Sequence, residues 1–315
     1  MTEGGTNMMR PPSLADEILR ELGRQMPFLL KATASGVPAL EMRMAELESI
    51  ASRLSLIYGE PSHWIAETVR GYVMLSMEFL KLQRQLERTG RYLLGSEREA
   101  LQVAYANQDV FGGYYLPGLL LSEALWPNHF LLGDAFKKSL VSGLAGGEEV
   151  LEIGVGTGYH LDLLLRHCPD VRYTGFDIST YAIDFCRHYA FGKSGEDPRA
   201  RFIEGNVSHG LPLAPASVDA VVMGEILEHI DDPAAVLRDV KKVLRPGGSM
   251  FLTTVAFAAN IDHIFMFEKV DDIRRLLADN GWRIVSDWPL PVYPGDAPDM
   301  VRRPMNYGAL VVPVT

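Results

Sequence analysis

Long amphipathic stretches fill the first half of this chain, and short apolar runs fill the second. In LADEILRELGRQMPFLLKA (14–32), PALEMRMAELESIASRLSLIYG (38–59) and SHWIAETVRGYVMLSMEFLKLQRQLERTG (62–90), apolar residues recur at spacings of three and four, which predicts helices. Glycine and proline break the pattern at Pro11–Pro12, Gly36–Pro38, Gly59–Pro61 and Gly90. After residue 145 the rhythm changes. EVLEIG, VRYTGFD, RFIEG, VDAVVMG and SMFLTTV read as strands, and YHLDLLLRHC, TYAIDFCRHYA, PAAVLRDVKKVLRPGG and VDDIRRLLADNG read as the helices between them. RIVSDW and YGALVVPV add a strand pair at the sheet edge. The expected architecture is an all-helical unit over 1–144 followed, over 145–315, by an α/β unit with a doubly wound, seven-stranded, mostly parallel sheet.

Composition narrows the function classes. With 315 residues, 47% of them hydrophobic and 22% charged, the chain can bury a large core. Thirty basic against forty acidic residues give a formal charge of −10, the wrong sign for gripping a phosphate backbone, so no nucleic-acid partner is expected. Cys168 and Cys186 show no metal-finger spacing and read as buried thiols in a reducing compartment. The first residues carry no apolar leader, and the most apolar stretch, YYLPGLLLSEALWPNHFLL, is interrupted by Glu123, two prolines and an asparagine. A cytoplasmic protein without membrane contact is the expectation.

The chemistry begins at EVLEIGVGTGYH. Gly154, Gly156 and Gly158 follow the first strand, where a doubly wound sheet opens its ligand crevice, and they strip the turn of side chains. A dinucleotide turn needs the spacing G-x-G-x-x-G, yet Tyr159 stands where the last glycine would fall. Glu152, just ahead, would repel a pyrophosphate and favour a cation. The plain alternative is a tight connection with a structural role only.

This stretch resembles the first motif, E-x-G-x-G-x-G, of the class I S-adenosylmethionine-dependent methyltransferases, and further matches follow in order. Asp177, nineteen residues after Gly158, resembles the acidic residue that holds the ribose hydroxyls in that family. Asn206 in FIEGNV stands where the family has an aspartate at the adenine amino group, and its carbonyl can accept the same hydrogen bond. VDAVVMGEILEHIDDP and VLRDVKKVLRPGGSMFLTTV resemble the ubiquinone-biosynthesis-like branch. The resemblance implies a Rossmann-like methyltransferase fold over 145–315, with S-adenosylmethionine as cofactor and S-adenosylhomocysteine as product. Its implied cofactor set is Glu152, Gly154, Gly156, Gly158, Asp177, Ile178, Asn206, Val207 and Glu225.

Displacement at a methyl carbon asks for positioning, desolvation and sometimes a base. The segment before the first strand would be the lid, and Tyr114, Tyr115, Trp126, Asn128 and His129 are its substrate candidates, against the alternative that they only pack helices. Arg302 could clamp a substrate carboxylate or be an ordinary surface charge. His229, His263 and Tyr115 are the catalytic candidates. Glu225, Glu228 and His229 share one face if GEILEHIDD makes a helical turn. Together with His263 they resemble the magnesium-binding set of small-RNA 3′-end methyltransferases, so a metal is an alternative to a metal-free site.

Three function classes stay open. The leading one is methyl transfer to a small-molecule substrate in bacterial specialised metabolism, with the amino-terminal helices as substrate cover and a homodimer surface. The second uses S-adenosylmethionine itself as substrate, closing a ring and releasing methylthioadenosine, as azetidine-carboxylate synthases do. The third is a binding protein with a vestigial pocket, against which the intact glycine, Glu152 and Asp177 set argues.

Overall fold

The computed structural model describes residues 13–105, 115–293 and 302–314. Its centre is a seven-stranded sheet built from β1 (Glu149–Ile153), β2 (Arg172–Asp177), β3 (Ala200–Glu204), β4 (Val218–Gly224), β5 (Leu244–Ala256), β6 (Trp282–Pro291) and β7 (Met305–Pro313), in the order β3-β2-β1-β4-β5-β7-β6. All neighbours are parallel except β7, which lies antiparallel between β5 and β6. The chain moves outward from β1 through β2 to β3, then returns to place β4 on the other flank of β1. The crevice therefore opens at the carboxyl ends of β1 and β4.

Central strands read as continuous apolar runs because both faces are covered. Val150 and Val222 point into one apolar cluster, whereas Leu151, Ile153, Val221 and Met223 point into the other. The second cluster is closed by helices α10 (Pro233–Val243) and α11 (Val270–Asp279), through Val236, Leu237, Ile273 and Leu277. On the first face lie α8 (Tyr159–His167) and α9 (Thr180–Phe191).

That first cluster does not stop at the sheet. It continues into α1 (Leu14–Gln25), α2 (Pro27–Ala34), α3 (Leu40–Tyr58), α4 (Ile65–Thr89), α6 (Leu116–Leu125) and α7 (Pro127–Ser139), with the four-residue α5 (Glu97–Ala100) off to the side. Ile18, Leu54, Tyr72, Leu121 and Phe136 share one buried core with Leu161 and Phe251, so the helical layer and the sheet are packed as a unit. The apolar run 14–32 is not one helix, as its periodicity predicts. Met26 is extended (φ −149°), because Pro27 disfavours helical geometry in the residue before it, and the proline then starts α2. Among the described residues, no helix is long and apolar enough to cross a membrane.

Two contacts fix the packing of helices within the roof. A Cβ on Gly118 of α6 would come within 2.6 Å of the Gly71 carbonyl of α4, so these helices touch backbone to backbone. Arg43 of α3 is fully buried, and among the described residues no carboxylate pairs with it. Its guanidinium donates instead to the carbonyls of Pro38 (3.1 Å), Ala124 (2.9 Å), Leu125 (2.6 Å) and Thr33 (2.6 Å), closing the ends of α2 and α6. Burial holds its pKa below the ordinary arginine value. Arg43→Met should leave these carbonyls unsatisfied and cost about 3 kcal/mol or more, since each buried polar group without a partner costs about 1–3 kcal/mol. Urea unfolding followed by circular dichroism measures this, and a loss below about 1 kcal/mol would mean that water replaces the guanidinium.

Candidate active site

At the carboxyl end of β1 the chain turns through Gly154 (φ +77°), Gly156 (φ +46°) and Gly158 (φ +76°), a conformation that L side chains rarely adopt. The three glycines do different work. A Cβ on Gly154 would strike Ile226 at 2.2 Å and one on Gly158 would strike Cys186 at 2.9 Å, so both are demanded by packing. Gly156 meets nothing within 4 Å and leaves bare backbone on a cavity of about 230 Å³. One water needs about 10–15 Å³, so this is a ligand-sized void.

Glu152 lies beneath the turn, 1% exposed. Its carboxylate accepts from the Tyr173 hydroxyl of β2 at 2.5 Å and faces His160 Nδ1 of α8 at 3.1 Å. Burial alone would lower the His160 pKa, but the hydrogen bond and charge of Glu152, with Glu123 and Glu225 beyond, outweigh it and raise the value. Asp177, at the end of β2, accepts the Ser179 N–H (2.8 Å) and the Gly156 N–H (3.3 Å). Its pKa is pushed up to about 6, because burial outweighs those hydrogen bonds.

Ile178, Asn206 and Val207 line the same cavity. The Asn206 carbonyl already accepts the Ser208 N–H at 2.7 Å, capping the turn Val207–His209. Its amide donates to Glu97, which also receives the Ser208 hydroxyl at 2.9 Å. Thus α5 of the helical layer reaches across to the third strand.

Beyond β4, Glu225 carries φ +51°, an uncommon conformation for a residue with a side chain. Its N–H is held by the Thr253 carbonyl (3.0 Å) and hydroxyl (3.1 Å). Leu227–His229 forms one 3-10 turn, not a longer helix, and buries Glu228 fully. Glu228 accepts from the Thr254 hydroxyl at 2.6 Å. Burial raises the pKa of Glu225, and burial with the charge of Glu225 raises that of Glu228 well above the carboxylate range. His229 Nδ1 contacts the Asp262 carbonyl (3.1 Å) and His263 Nδ1 the Ala258 carbonyl (2.8 Å). A carbonyl can only accept, so each ring holds its proton on Nδ1 and presents a lone pair at Nε2. The ligand-capable atoms of Glu228, His229 and His263 lie within 4.8 Å of one another. Burial, then His229, lowers the His263 pKa to about 4, which makes it a weak proton acceptor.

Toward the helical layer the cavity becomes apolar. Tyr115, Trp126, Asn128 and His129 all line it. The Tyr115 hydroxyl accepts from the Asn260 amide at 2.8 Å, and Asn128 donates to Asn306 of β7 at 2.5 Å. Trp126 packs against Phe79 (5.7 Å) and His129 (4.8 Å), so packing and lining coincide in one residue. Tyr114 lies outside the described residues. Arg302 is not at the cavity: it pairs with Glu268 at 2.7 Å on the surface and stacks over Phe257, so the substrate-clamp expectation gives way to the surface-charge alternative. Sequence reasoning missed His160, Glu97, Glu123, Asn260 and Asn306 as lining residues. A histidine two residues after the last glycine was the one local signal available.

Comparison with known proteins agrees with this arrangement. A family profile described as "Methyltransferase domain" matches residues 151–252. The chain is 32% identical over 117 residues to a ubiquinone biosynthesis O-methyltransferase of Paracidovorax citrulli, covering 36% of this chain and 48% of that protein. It is 36% identical over 108 residues to a probable S-adenosylmethionine-dependent methyltransferase of Mycolicibacterium smegmatis, covering 34% and 38%. The chain thus spans about half the length, or less, of these curated relatives. Among solved structures, phosphoethanolamine N-methyltransferase 2 of Haemonchus contortus, in complex with S-adenosyl-L-methionine, shares the fold at TM-score 0.51 and 14% identity, over 71% of this chain and 61% of that one.

The His160–Glu152 pair gives a signed pH effect. The folded protein holds the imidazole above its ordinary value of 6.5, so the protonated form favours folding. Its stabilisation is complete below that value and fades as pH rises through the higher folded one. His160→Gln keeps a neutral donor and removes the charge. It should cost about 1 kcal/mol under mildly acidic conditions and less in alkali, read as the difference in urea midpoints. A difference independent of pH would show that the charge contributes nothing.

Proposed function

We propose that the protein is a class I S-adenosylmethionine-dependent methyltransferase that transfers a methyl group to a small-molecule acceptor held under its helical roof, a reading that the methyltransferase-domain match over residues 151–252 and the methyltransferase relatives support. One observation carries the reading: a single cavity runs from the bare backbone at Gly156 and the carboxylate of Asp177 to the apolar wall of α6. The residues fit the family's cofactor. Gly156 leaves space where a side chain would stand, Asp177 offers a carboxylate to paired hydroxyls, and Ile178 and Val207 offer apolar surface to a base. Asn206 is committed to Ser208 and Glu97, so Glu97 joins it as a polar contact at that end. When bound, the cofactor supplies a methyl carbon activated by its sulfonium. The chain's own residues do the rest: Tyr115 and Asn260 fix the wall near the acceptor, α6 and α7 exclude water, and His229, whose Nε2 lies 4.0 Å from the Glu228 carboxyl, stands ready to accept a proton.

Calorimetry with S-adenosylhomocysteine tests the pocket. Asp177→Ala should weaken binding about 10–100-fold, or about 1.4–2.7 kcal/mol. In the parent, affinity should fall as pH drops through about 6, because protonating Asp177 weakens the acceptor that the hydroxyls need. No binding heat, or an unchanged variant, would reject the reading. The product of incubation with S-adenosylmethionine alone separates the ring-closing alternative, which releases methylthioadenosine without any acceptor. Exposed Phe28, Met42 and Leu56 on α2 and α3 support pairing of two copies through the helical layer.

A second reading, metal-assisted transfer, has its own observation. Among the described residues one Glu228 oxygen has no hydrogen-bond partner, and His229 and His263 are both oriented through Nδ1 by backbone carbonyls, the arrangement that aims Nε2 at an ion. A divalent cation held by Glu228, His229 and His263 would orient oxygen ligands of the acceptor. Titration with manganese should give a single site that His229→Ala and His263→Ala each weaken at least about tenfold. Absence of manganese binding, with turnover indifferent to chelator, would dispose of it.

A further inference from the structure

We propose that the acceptor is a small amine with an apolar body, and that the carboxylate of Glu123 receives its nitrogen and takes its proton. The inference rests on the methyl-transfer reading above. Leu116, Leu119 and Glu123 recur along α6 at helical spacing, Trp126 caps its carboxyl end, and all four line the cavity, so this side of the helix presents three apolar side chains and a single carboxyl group. No hydrogen bond or ion pair among the described residues holds that carboxyl. The ionisable groups that face it are His160 from α8, Glu225 after β4, Glu46 from α3 and Tyr159. Two of these are acids, and His160 is committed to Glu152.

The rest of the wall points the same way. Among its described residues there is no lysine or arginine, while Glu97, Glu123, Asp177, Glu225 and Asp262 are acids. A carboxylate or phosphate on the acceptor would enter this field without a counter-charge, whereas an ammonium supplies one. His129 adds an acceptor. The Ser122 hydroxyl donates to the Leu119 carbonyl at 2.6 Å, so the proton between Ser122 and His129 Nδ1, 3.0 Å apart, belongs to the ring, leaving Nε2 as a lone pair. Burial lowers the His129 pKa to about 4, so it stays neutral. Leu75, Phe79, Leu119, Trp126, Leu132 and Val292 supply the apolar surface for the acceptor's body.

Burial also pushes the Glu123 pKa up to about 8, so the carboxylate that forms when an ammonium supplies its counter-charge is a far stronger proton acceptor than an ordinary one. An incoming ammonium gives its proton to the Glu123 carboxylate. The freed nitrogen lone pair then forms the C–N bond as the C–S bond breaks and its electrons return to sulfur as a thioether. A primary or secondary amine afterwards sheds the remaining proton to water.

The test is calorimetry on the full chain saturated with S-adenosylhomocysteine, with three probes that share one apolar body: phenethylamine, phenethyl alcohol and phenylacetate. The amine should bind at least about tenfold more tightly than the alcohol, and phenylacetate should bind most weakly. In Glu123→Gln the amine and the alcohol should fall within about threefold of each other, with nucleoside affinity unchanged. Phenylacetate equal to the amine, no binding of any probe, a preference that survives the substitution, or a Glu123→Gln variant that loses the nucleoside would each overturn the proposal. Nucleoside binding without the amine preference removes this inference alone; absence of nucleoside binding removes the methyl-transfer reading and this one with it.

Discussion

Carboxyl groups buried at one edge of a parallel sheet are the constraint around which this molecule is arranged. Glu152, Asp177, Glu225 and Glu228 all lie at or just beyond the carboxyl ends of β1, β2 and β4, where the strand order reverses. An ionised carboxylate taken from water needs donors or a cation. Glu152 has Tyr173 and His160, and Asp177 has two backbone N–H groups. Glu225 and Glu228 have fewer donors and face each other, and both are driven toward the protonated state. The cavity is therefore graded, from carboxylates satisfied by the protein's own donors to carboxyls that await a partner.

That gradient exists because the helical layer closes over it. Within the roof, Gly71 meets Gly118 backbone to backbone and Arg43 closes the ends of α2 and α6, and the Asn128–Asn306 hydrogen bond ties the roof to β7. Since the helices share one apolar core with α8, α9 and the sheet, the cavity is set by the folding of the whole chain. Its walls accordingly mix residues distant in sequence: Glu97 meets Asn206, and Tyr115 meets Asn260.

The glycine turn shows how far local pattern carries. Three glycines at alternate positions announced a bared backbone, yet Gly154 and Gly158 are required by the side chains of Ile226 and Cys186, and only at Gly156 of the three would an added Cβ meet nothing. A structural and a functional reading are both true of one motif, and spacing cannot divide them. Aromatic residues before the first strand behave the same way: Trp126 packs on Phe79 and lines the cavity at once. Arg302 went the other way, because its nearest carboxylate, Glu268, lies outside the site.

Periodicity, glycine and proline breaks and the order of motifs pointed by themselves to the helical first half, to the succession of strands and helices along the second, and to Gly156 and Asp177 as neighbours at one strand-end crevice, whereas Glu152 lies beneath the turn and off the cavity wall. Only the tertiary structure decided that Glu152 raises the His160 pKa, that Glu97 serves the third strand, that Glu228, His229 and His263 converge and that Glu123 faces the cavity with no partner among the described residues. The physical reason is that charge state and hydrogen-bond partnership are properties of burial and of contacts between distant segments. A buried carboxyl and an exposed one are written with the same letter.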